Sequence, residues 1–330
     1  MLITVNASAV KLAFKALKPL YLGYSEGMLL GIFVEQHTLY IIGTNGSVYE
    51  QRISCEFEGP YAITVLYQDL SELLPGTGTL SIELAPMFVR ISSQQFSTTL
   101  PQANGIIPRY VHQCISFETI SASVLRSWSM LFSLTSPVAK SLAKEAPIIF
   151  KAPFAIMKYP TFWLQLKNPF LDTTMTLQEL KTVAEFSPEE YGIVDHVIEF
   201  RRGPATLALP RTPVDTCNDI DSVTRNHDHY RKVKPFNYLP RIQQYLRSVG
   251  SGPCTCSFYA DGIQLSVART GIQSSFKIGA CSELVKTIPS FLEYIQMFFR
   301  LCGEEAISLS WNAQSIRIST DSLSMLSTIQ

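Results

Sequence analysis

Apolar positions along the chain fall into a succession of helix-like and strand-like stretches that occurs three times. Val10, Ala13, Phe14 and Leu17 recur three and four apart, which predicts a helix with one apolar stripe. Strand-like runs follow at Leu29 to Glu35, Thr38 to Gly43, Val48 to Phe57 and Tyr61 to Val65. A short helix is predicted over Gln68 to Leu74, where Pro75 and Gly76 stop it. Strand patterns return at Leu80 to Leu84, Phe88 to Ser92 and Phe96 to Leu100.

The same order begins again with Val124, Leu125, Trp128, Leu131 and Phe132 on one helical face. It continues through strand-like Ile148 to Phe150 and Phe162 to Leu166 and a helix carrying Leu177, Leu180 and Val183. The strands His196 to Arg201 and Ala205 to Leu209 close it. A third pass opens on Leu239, Ile242, Leu246 and Val249, with strands at Cys254 to Tyr259 and Ile263 to Ala268. A helix through Phe291, Tyr294, Ile295 and Phe298 and strands at Ile307 to Trp311 and Ile316 to Ser319 complete it. Self-similarity of this kind predicts an α+β chain of three like units, 1–108, 113–228 and 229–330. The polar stretches Gln102 to Gln113 and Pro213 to His229 read as linkers.

A length of 330 residues suits two or three domains, and 46% hydrophobic residues provide for substantial cores. The 27 basic and 27 acidic residues cancel, so any attraction to nucleic acid must come from how the charges are arranged. The N-terminus lacks the features of a signal peptide. The apolar stretches are too short to cross a bilayer, and seven scattered cysteines do not read as a secreted framework. The expectation is a soluble cytoplasmic protein.

The charges are ordered. Residues 1–25, 119–144 and 229–260 contain no acid, although even mixing of 27 acids would put about two in each window. All three windows cover the first helix of a unit. They carry Lys11, Lys15 and Lys18, then Arg126, Lys140 and Lys144, then Arg231, Lys232, Lys234, Arg241 and Arg247. Basic side chains without a base-reading pattern suit contact with phosphates of any sequence. Each helix taken alone reads equally well as a solvated basic face; the threefold recurrence favours DNA. Asp69, Glu72, Glu179, Glu185 and Glu293 make the second helices neutral or acidic.

Catalytic chemistry is hard to find. His227, Asp228 and His229 form the one histidine cluster, in a polar linker and without metal-ligand spacing. Cys254 and Cys256 share a strand face and read as small buried hydrophobes. The glycines at 76 and 78 follow a helix and precede a strand, the reverse of a phosphate-cradling loop. The carboxylates after Ser187 fall on a surface turn. We expect no enzyme, no cofactor and no metal.

Several runs resemble the bacterial-type DNA polymerase III beta sliding clamp family: "LYIIGTNGSVYEQRI", "ELLPGTGTLSIEL" and "FSTTLP" in the first unit, and "HYRKVKP" and "SFLEYIQMF" in the third. The likeness spans the chain, with the middle unit matching least. It implies three tandem DNA-clamp domains per chain and a six-domain ring formed as a homodimer. Such a ring would encircle duplex DNA as a processivity factor in DNA replication, with a DNA polymerase and a clamp loader as partners. Lys11, Lys15, Lys18, Arg126, Lys140, Arg241 and Arg247 would then meet the duplex.

The resemblance also implies a partner-peptide pocket from Asn168, Pro169, Phe170, Leu171, Lys232, Val233, Phe291, Ile316, Met325 and Leu326. For Phe291 and Ile316, ordinary core packing is an equal reading. "KNPF" and the tail "SMLSTIQ" depart from the family pattern. The dimer joint would use Ile106, Ile107 and Val249, although the two isoleucines could equally close the core of the first unit. Two competing readings stand beside this one. One is a clamp-like subunit of a mixed ring, or a non-loading regulator of clamp partners. The other is a nucleotide-processing enzyme of repeated units.

Overall fold

A computed structural model describes residues 1–21, 28–122, 124–125, 128, 148–151, 154–158, 162–167, 172–211, 229–233, 244–245, 248–249, 252–269, 272–291, 307–312, 315–320 and 323–328. The first repeat comprises β1 (Leu2–Asn6), α1 (Ala7–Tyr21), β2 (Leu29–Glu35), β3 (Thr38–Asn45), β4 (Ser47–Ser54), β5 (Tyr61–Leu66), β6 (Thr79–Ala85), β7 (Phe88–Ser92) and β8 (Ser97–Pro101). The second runs β9 (Glu118–Thr119), β10 (Ile148–Lys151), β11 (Phe154–Lys158), β12 (Phe162–Lys167), β13 (Asp172–Met175), α2 (Leu177–Phe186), β14 (Glu190–Val194), β15 (Val197–Arg202) and β16 (Ala205–Pro210). The third runs β17 (His229–Val233), β18 (Pro253–Tyr259), β19 (Gly262–Arg269), β20 (Ile272–Gly279), β21 (Leu284–Phe291), β22 (Ile307–Trp311), β23 (Ser315–Ser319) and β24 (Leu323–Thr328).

One topological rule generates every sheet. Within each repeat the strands group in the orders fifth-second-third-fourth and first-sixth-seventh-eighth. The fourth strand of one repeat then pairs antiparallel with the eighth strand of the next. β4 meets β16 with Leu207 opposite Tyr49, and β12 meets β24 with Met325 opposite Leu164. Two eight-stranded sheets result, β5-β2-β3-β4-β16-β15-β14-β9 and β13-β10-β11-β12-β24-β23-β22-β17. Two four-stranded sheets remain, β1-β6-β7-β8 and β20-β19-β18-β21. The chain divides into two compact units, Met1–Ser129 with Gln178–Thr212, and Met130–Leu177 with Pro213–Gln330. Each holds one sheet of either kind.

In the first unit α1 covers its sheets with the predicted stripe: Val10, Ala13, Phe14 and Leu17 have no exposed surface. Asn6 caps the helix, its Oδ1 accepting from the amides of Ser8 at 2.9 Å and Ala9 at 3.4 Å. At Gly43 on β3 the helix and sheet approach closely. A Cβ there would run into Leu17 and the Tyr21 hydroxyl. That hydroxyl donates to the Leu29 carbonyl at 2.6 Å and accepts from the Thr44 amide at 3.1 Å, so both sides of the approach are pinned. α2 joins the same unit through Gln178, whose Nε2 donates to the Pro19 carbonyl at 3.0 Å.

Three expectations are corrected. The stretch Gln68 to Leu74 is a single turn, not a helix: the amides of Leu73 and Leu74 both reach the Leu70 carbonyl at 3.0 Å, and Pro75 allows no continuation. So short a segment gains too few hydrogen bonds to offset helix nucleation. Phe291 ends strand β21, opposite Pro253, instead of opening a helix. Pairing with β18 along seven positions outweighs its helical spacing to Tyr294, Ile295 and Phe298, which lie outside the described residues. His229, assigned to a linker, begins β17 and stacks on Trp311 with ring centroids 5.4 Å apart. Of the predicted first helices in repeats two and three, the described residues (Ala122, Val124, Leu125 and Trp128; Gln244, Tyr245, Ser248 and Val249) are helical.

Candidate nucleic-acid interface and partner surfaces

α1 presents its lysines at helical spacing opposite its buried stripe, but two of them have partners. Lys11 donates to the Leu74 carbonyl at 2.7 Å, and Lys18 pairs with Asp69 at 3.0 Å. Lys15, between them, is exposed and has no hydrogen-bond or ion-pair partner among the described residues. The hydrogen bond to Asp69 raises the Lys18 ammonium above its usual range. Desolvation works to raise the Asp69 carboxyl, yet the Ser71 hydroxyl and amide together with Lys18 hold it below its ordinary value. The expected DNA contacts Arg126, Lys140, Arg241 and Arg247 lie outside the described residues, as does Lys144. On α2, Lys181 and Glu185 pair at 3.7 Å, one turn apart.

Of the expected peptide-pocket residues, Asn168, Pro169, Phe170 and Leu171 lie outside the described residues. The others are split between sheets. Lys232 and Val233 stand on β17 opposite Ser308 and Ile307, and Met325 and Leu326 on β24 opposite Ile318 and Arg317 of β23. Ile316 is on β23 and fully buried. All five belong to one eight-stranded sheet, whereas Phe291 belongs to the four-stranded sheet of the same unit. At the expected joint, the two isoleucines separate. Ile107 is 3% exposed, with its amide donating to Thr64 Oγ1 at 3.2 Å, while Ile106 is 87% exposed. Val249 is half-buried on its helix.

One constellation was not anticipated. Glu199 on β15 and Glu50 on β4 are fully buried, close to the seam between the first two repeats. Glu199 Oε1 accepts from the amides of Gln113 at 2.6 Å and Cys114 at 3.2 Å and from the Tyr110 hydroxyl at 2.8 Å. Its Oε2 faces His112 Nδ1 at 3.3 Å and Arg201 at 3.8 Å. Glu50 pairs with Arg52 at 3.0 Å and lies 3.6 Å from His112, which also touches Arg52. Burial pushes the Glu199 carboxyl up, but the Gln113 amide, Tyr110, the Cys114 amide and His112 outweigh it and leave it below its ordinary value. The network fastens the linker after Arg109 onto the seam. A glutamate inside each of the strand patterns "VYEQRI" and "VIEFRR" was the available signal.

Among the described residues no group of three or more His, Cys, Asp or Glu is placed to hold a metal ion, and Cys254 and Cys256 are buried and form no disulfide. No described helix is long and apolar enough to cross a membrane.

Three passes through one strand order, with fourth-to-eighth strand seams, define a chain of three tandem clamp repeats. No protein-family model matches the sequence, and no curated protein matches it. Solved structures do match, and the fold is that of the bacterial DNA polymerase III beta clamp. The DNA polymerase sliding clamp from Caulobacter crescentus aligns over 100% of this chain and 99% of its own, with a TM-score of 0.78 and 11% identity. A putative DNA polymerase III beta subunit from Eubacterium rectale gives 0.76 and 13% over the same shares. The Helicobacter pylori beta clamp bound to a DNA ligase peptide gives 0.74 and 9%, with both chains covered in full.

Proposed function

We propose that this chain is a non-catalytic DNA sliding clamp whose two copies close head to tail around duplex DNA. Its domains are 1–108, 113–228 and 229–330. The observation that carries this reading is a pair of sheet edges left unfilled among the described residues. Two fourth-to-eighth strand seams are used inside the chain; β20, the fourth strand of repeat three, and β8, the eighth of repeat one, each end a four-stranded sheet. Joining β20 of one copy to β8 of another completes the rule, and covers edges that would otherwise invite aggregation. A contact between unlike surfaces forms a closed ring when its rotation closes.

The first internal seam also gives a register for the joint. Leu207 opposes Phe200 on its own sheet and Tyr49 across the seam. Thr98 opposes Ile91 in the equivalent place, and Ser274, opposite Val267, is the equivalent of Tyr49, opposite Gly43. Thr98 therefore meets Ser274 of the other copy. Thr99 then meets Gln273, and Leu100 meets Ile272. Ile106, exposed just beyond β8, and Val249 flank this joint, while Ile107 belongs to the core of its own repeat.

In this reading Lys15, with Lys11 and Lys18, contacts phosphates, and Arg126, Lys140, Arg241 and Arg247 extend the basic surface. Partner peptides, from a polymerase, a loader or a ligase, would dock at the third-repeat sheet near Lys232, Val233, Met325 and Leu326, with residues 168–171, Phe291 and Ile316. Native mass spectrometry tests the ring, with twice the chain mass expected. Retention on closed circular DNA, with release on linearisation, tests encirclement. A monomer at high concentration together with equal retention on both DNA forms would refute the proposal. The capture of Lys11 and Lys18 by internal partners keeps one second reading open, a clamp-like chain that regulates clamp partners without loading.

A further inference from the structure

Lys11, Lys15 and Lys18 stand at intervals of four and three residues along one face of α1, and the turn after β5 reaches both ends of that row. At one end the Leu74 carbonyl takes Lys11 at 2.7 Å; at the other the Asp69 carboxylate takes Lys18 at 3.0 Å. Asp69 is itself held for this position. Its Oδ1 accepts from the Ser71 amide at 3.0 Å and hydroxyl at 2.6 Å, which leaves Oδ2 for the lysine. Glu72, on the same turn, adds a second negative charge near Lys18. Both members of the ion pair remain more than a third exposed, so an outside anion can compete for the lysine.

We infer that Asp69 is an internal substitute for a DNA phosphate, occupying Lys18 when no duplex is present and weakening the hold of the clamp on DNA. The inference rests on the reading of α1 as a DNA-contacting helix. Its physical content is a competition: a phosphate gains Lys18 against a carboxylate already at hydrogen-bond distance. A shallow electrostatic grip of this kind suits a protein that must move along DNA, because the Lys18 contact, when broken in sliding, has a ready replacement in Asp69.

The test compares Asp69→Asn with the unaltered full chain. Asparagine keeps the Oδ1 acceptor for Ser71 and removes the charge opposite Lys18. Binding to a linear duplex of mixed sequence is measured across a salt series. Exposed ion pairs are weak, so the expected gain is at most about fivefold in affinity for each subunit. The plot of log affinity against log salt should steepen by about 0.9 for each lysine released to a phosphate. Lys18→Ala should lower affinity more in the Asp69→Asn background than in the original chain. Unchanged affinity and salt slope in Asp69→Asn, with Lys15→Glu still weakening binding, overturns the inference and leaves the DNA reading intact. Lys15→Glu without effect on binding overturns both. Should Asp69→Asn lower the melting temperature, Asp69→Ser, which keeps a hydroxyl acceptor for the Ser71 amide, takes its place.

Discussion

Replacing Glu199 with alanine tests whether the first seam depends on its buried carboxylate. The substitution strands the amides of Gln113 and Cys114 and the hydroxyl of Tyr110, all now bonded to Oε1 at 2.6–3.2 Å, leaves Arg201 without its carboxylate and leaves His112 facing Glu50 alone. A buried donor left unsatisfied costs about 1–3 kcal/mol. Tyr110 and His112 lie at a half-open edge that water can reach, so the lower end of that range applies to each, for a total of about 4 kcal/mol. The figure agrees with the ~3–5 kcal/mol typical of breaking a buried ion pair from one side. In a unit of this size ~1 kcal/mol moves the melting temperature by about 2–4 °C, so Glu199→Ala should melt about 10 °C lower. Calorimetry reads the shift, and trypsin cleavage after Arg109 reads release of the linker. A variant that melts within about 2 °C of the original, with the linker still protected, would refute the role given to Glu199.

Glu199→Gln keeps the three Oε1 bonds but removes the charge and replaces the Oε2 acceptor facing His112 and Arg201 with an amide donor, so it should cost about 1–3 kcal/mol by urea unfolding. It should also flatten the acid limb. The Glu199 carboxyl lies below its ordinary 4.5 when folded, so its contribution is present above that value and is lost as pH falls through the folded value. The original chain should therefore lose stability below about pH 4.5 more steeply than Glu199→Gln, and parallel curves would contradict this. Gly43→Ala forces a methyl group into Leu17 and Tyr21 and should destabilise the first unit by about 1–3 kcal/mol in the same assay. Thr99→Lys with Gln273→Lys sets like charges opposite each other in the proposed joint and should raise the dimer dissociation constant about tenfold, whereas Thr99→Lys with Gln273→Glu should not. Analytical ultracentrifugation separates these outcomes, and equal constants for the two double variants would refute the register.

The strand patterns of the first repeat were legible because each has one buried face. β2 to β8 fall within a few residues of the stretches expected from alternation, and the α1 stripe is the predicted one. The turn at Leu70 to Leu74 misled because two buried leucines four apart satisfy a helix and a single turn equally. Phe291 misled because strand pairing with Pro253 is a long-range choice that local periodicity does not contain. The lysines of α1 could be read from acid depletion, but their partners could not. Lys11 and Leu74 are 63 residues apart, and nothing in either neighbourhood announces the contact. The Glu199 network failed for the same reason, since its donors come from a linker 85–89 residues away.

The proposed ring would have seams of unequal strength. Glu199, Arg90 and Arg317 occupy the same place in three successive copies of the seventh strand, each one residue after the inward-facing Ile198, Val89 and Ile316. At the β4–β16 seam this position carries the buried glutamate that secures the linker. At β7, beside the proposed joint between copies, it carries Arg90, already engaged by Glu83 at 3.0 Å and by the Phe88 ring at 5.2 Å within its own sheet. The proposed joint between copies would then lack an equivalent latch and would rely on main-chain pairing and the side chains along β8 and β20. Urea should separate the copies before it disrupts the first seam. The first transition should shift with protein concentration and the second, which exposes the Arg109 linker to trypsin, should not. One concentration-dependent transition in which dissociation and linker cleavage coincide would show that the two kinds of seam are equally strong, and would remove the role assigned to the Glu199 latch.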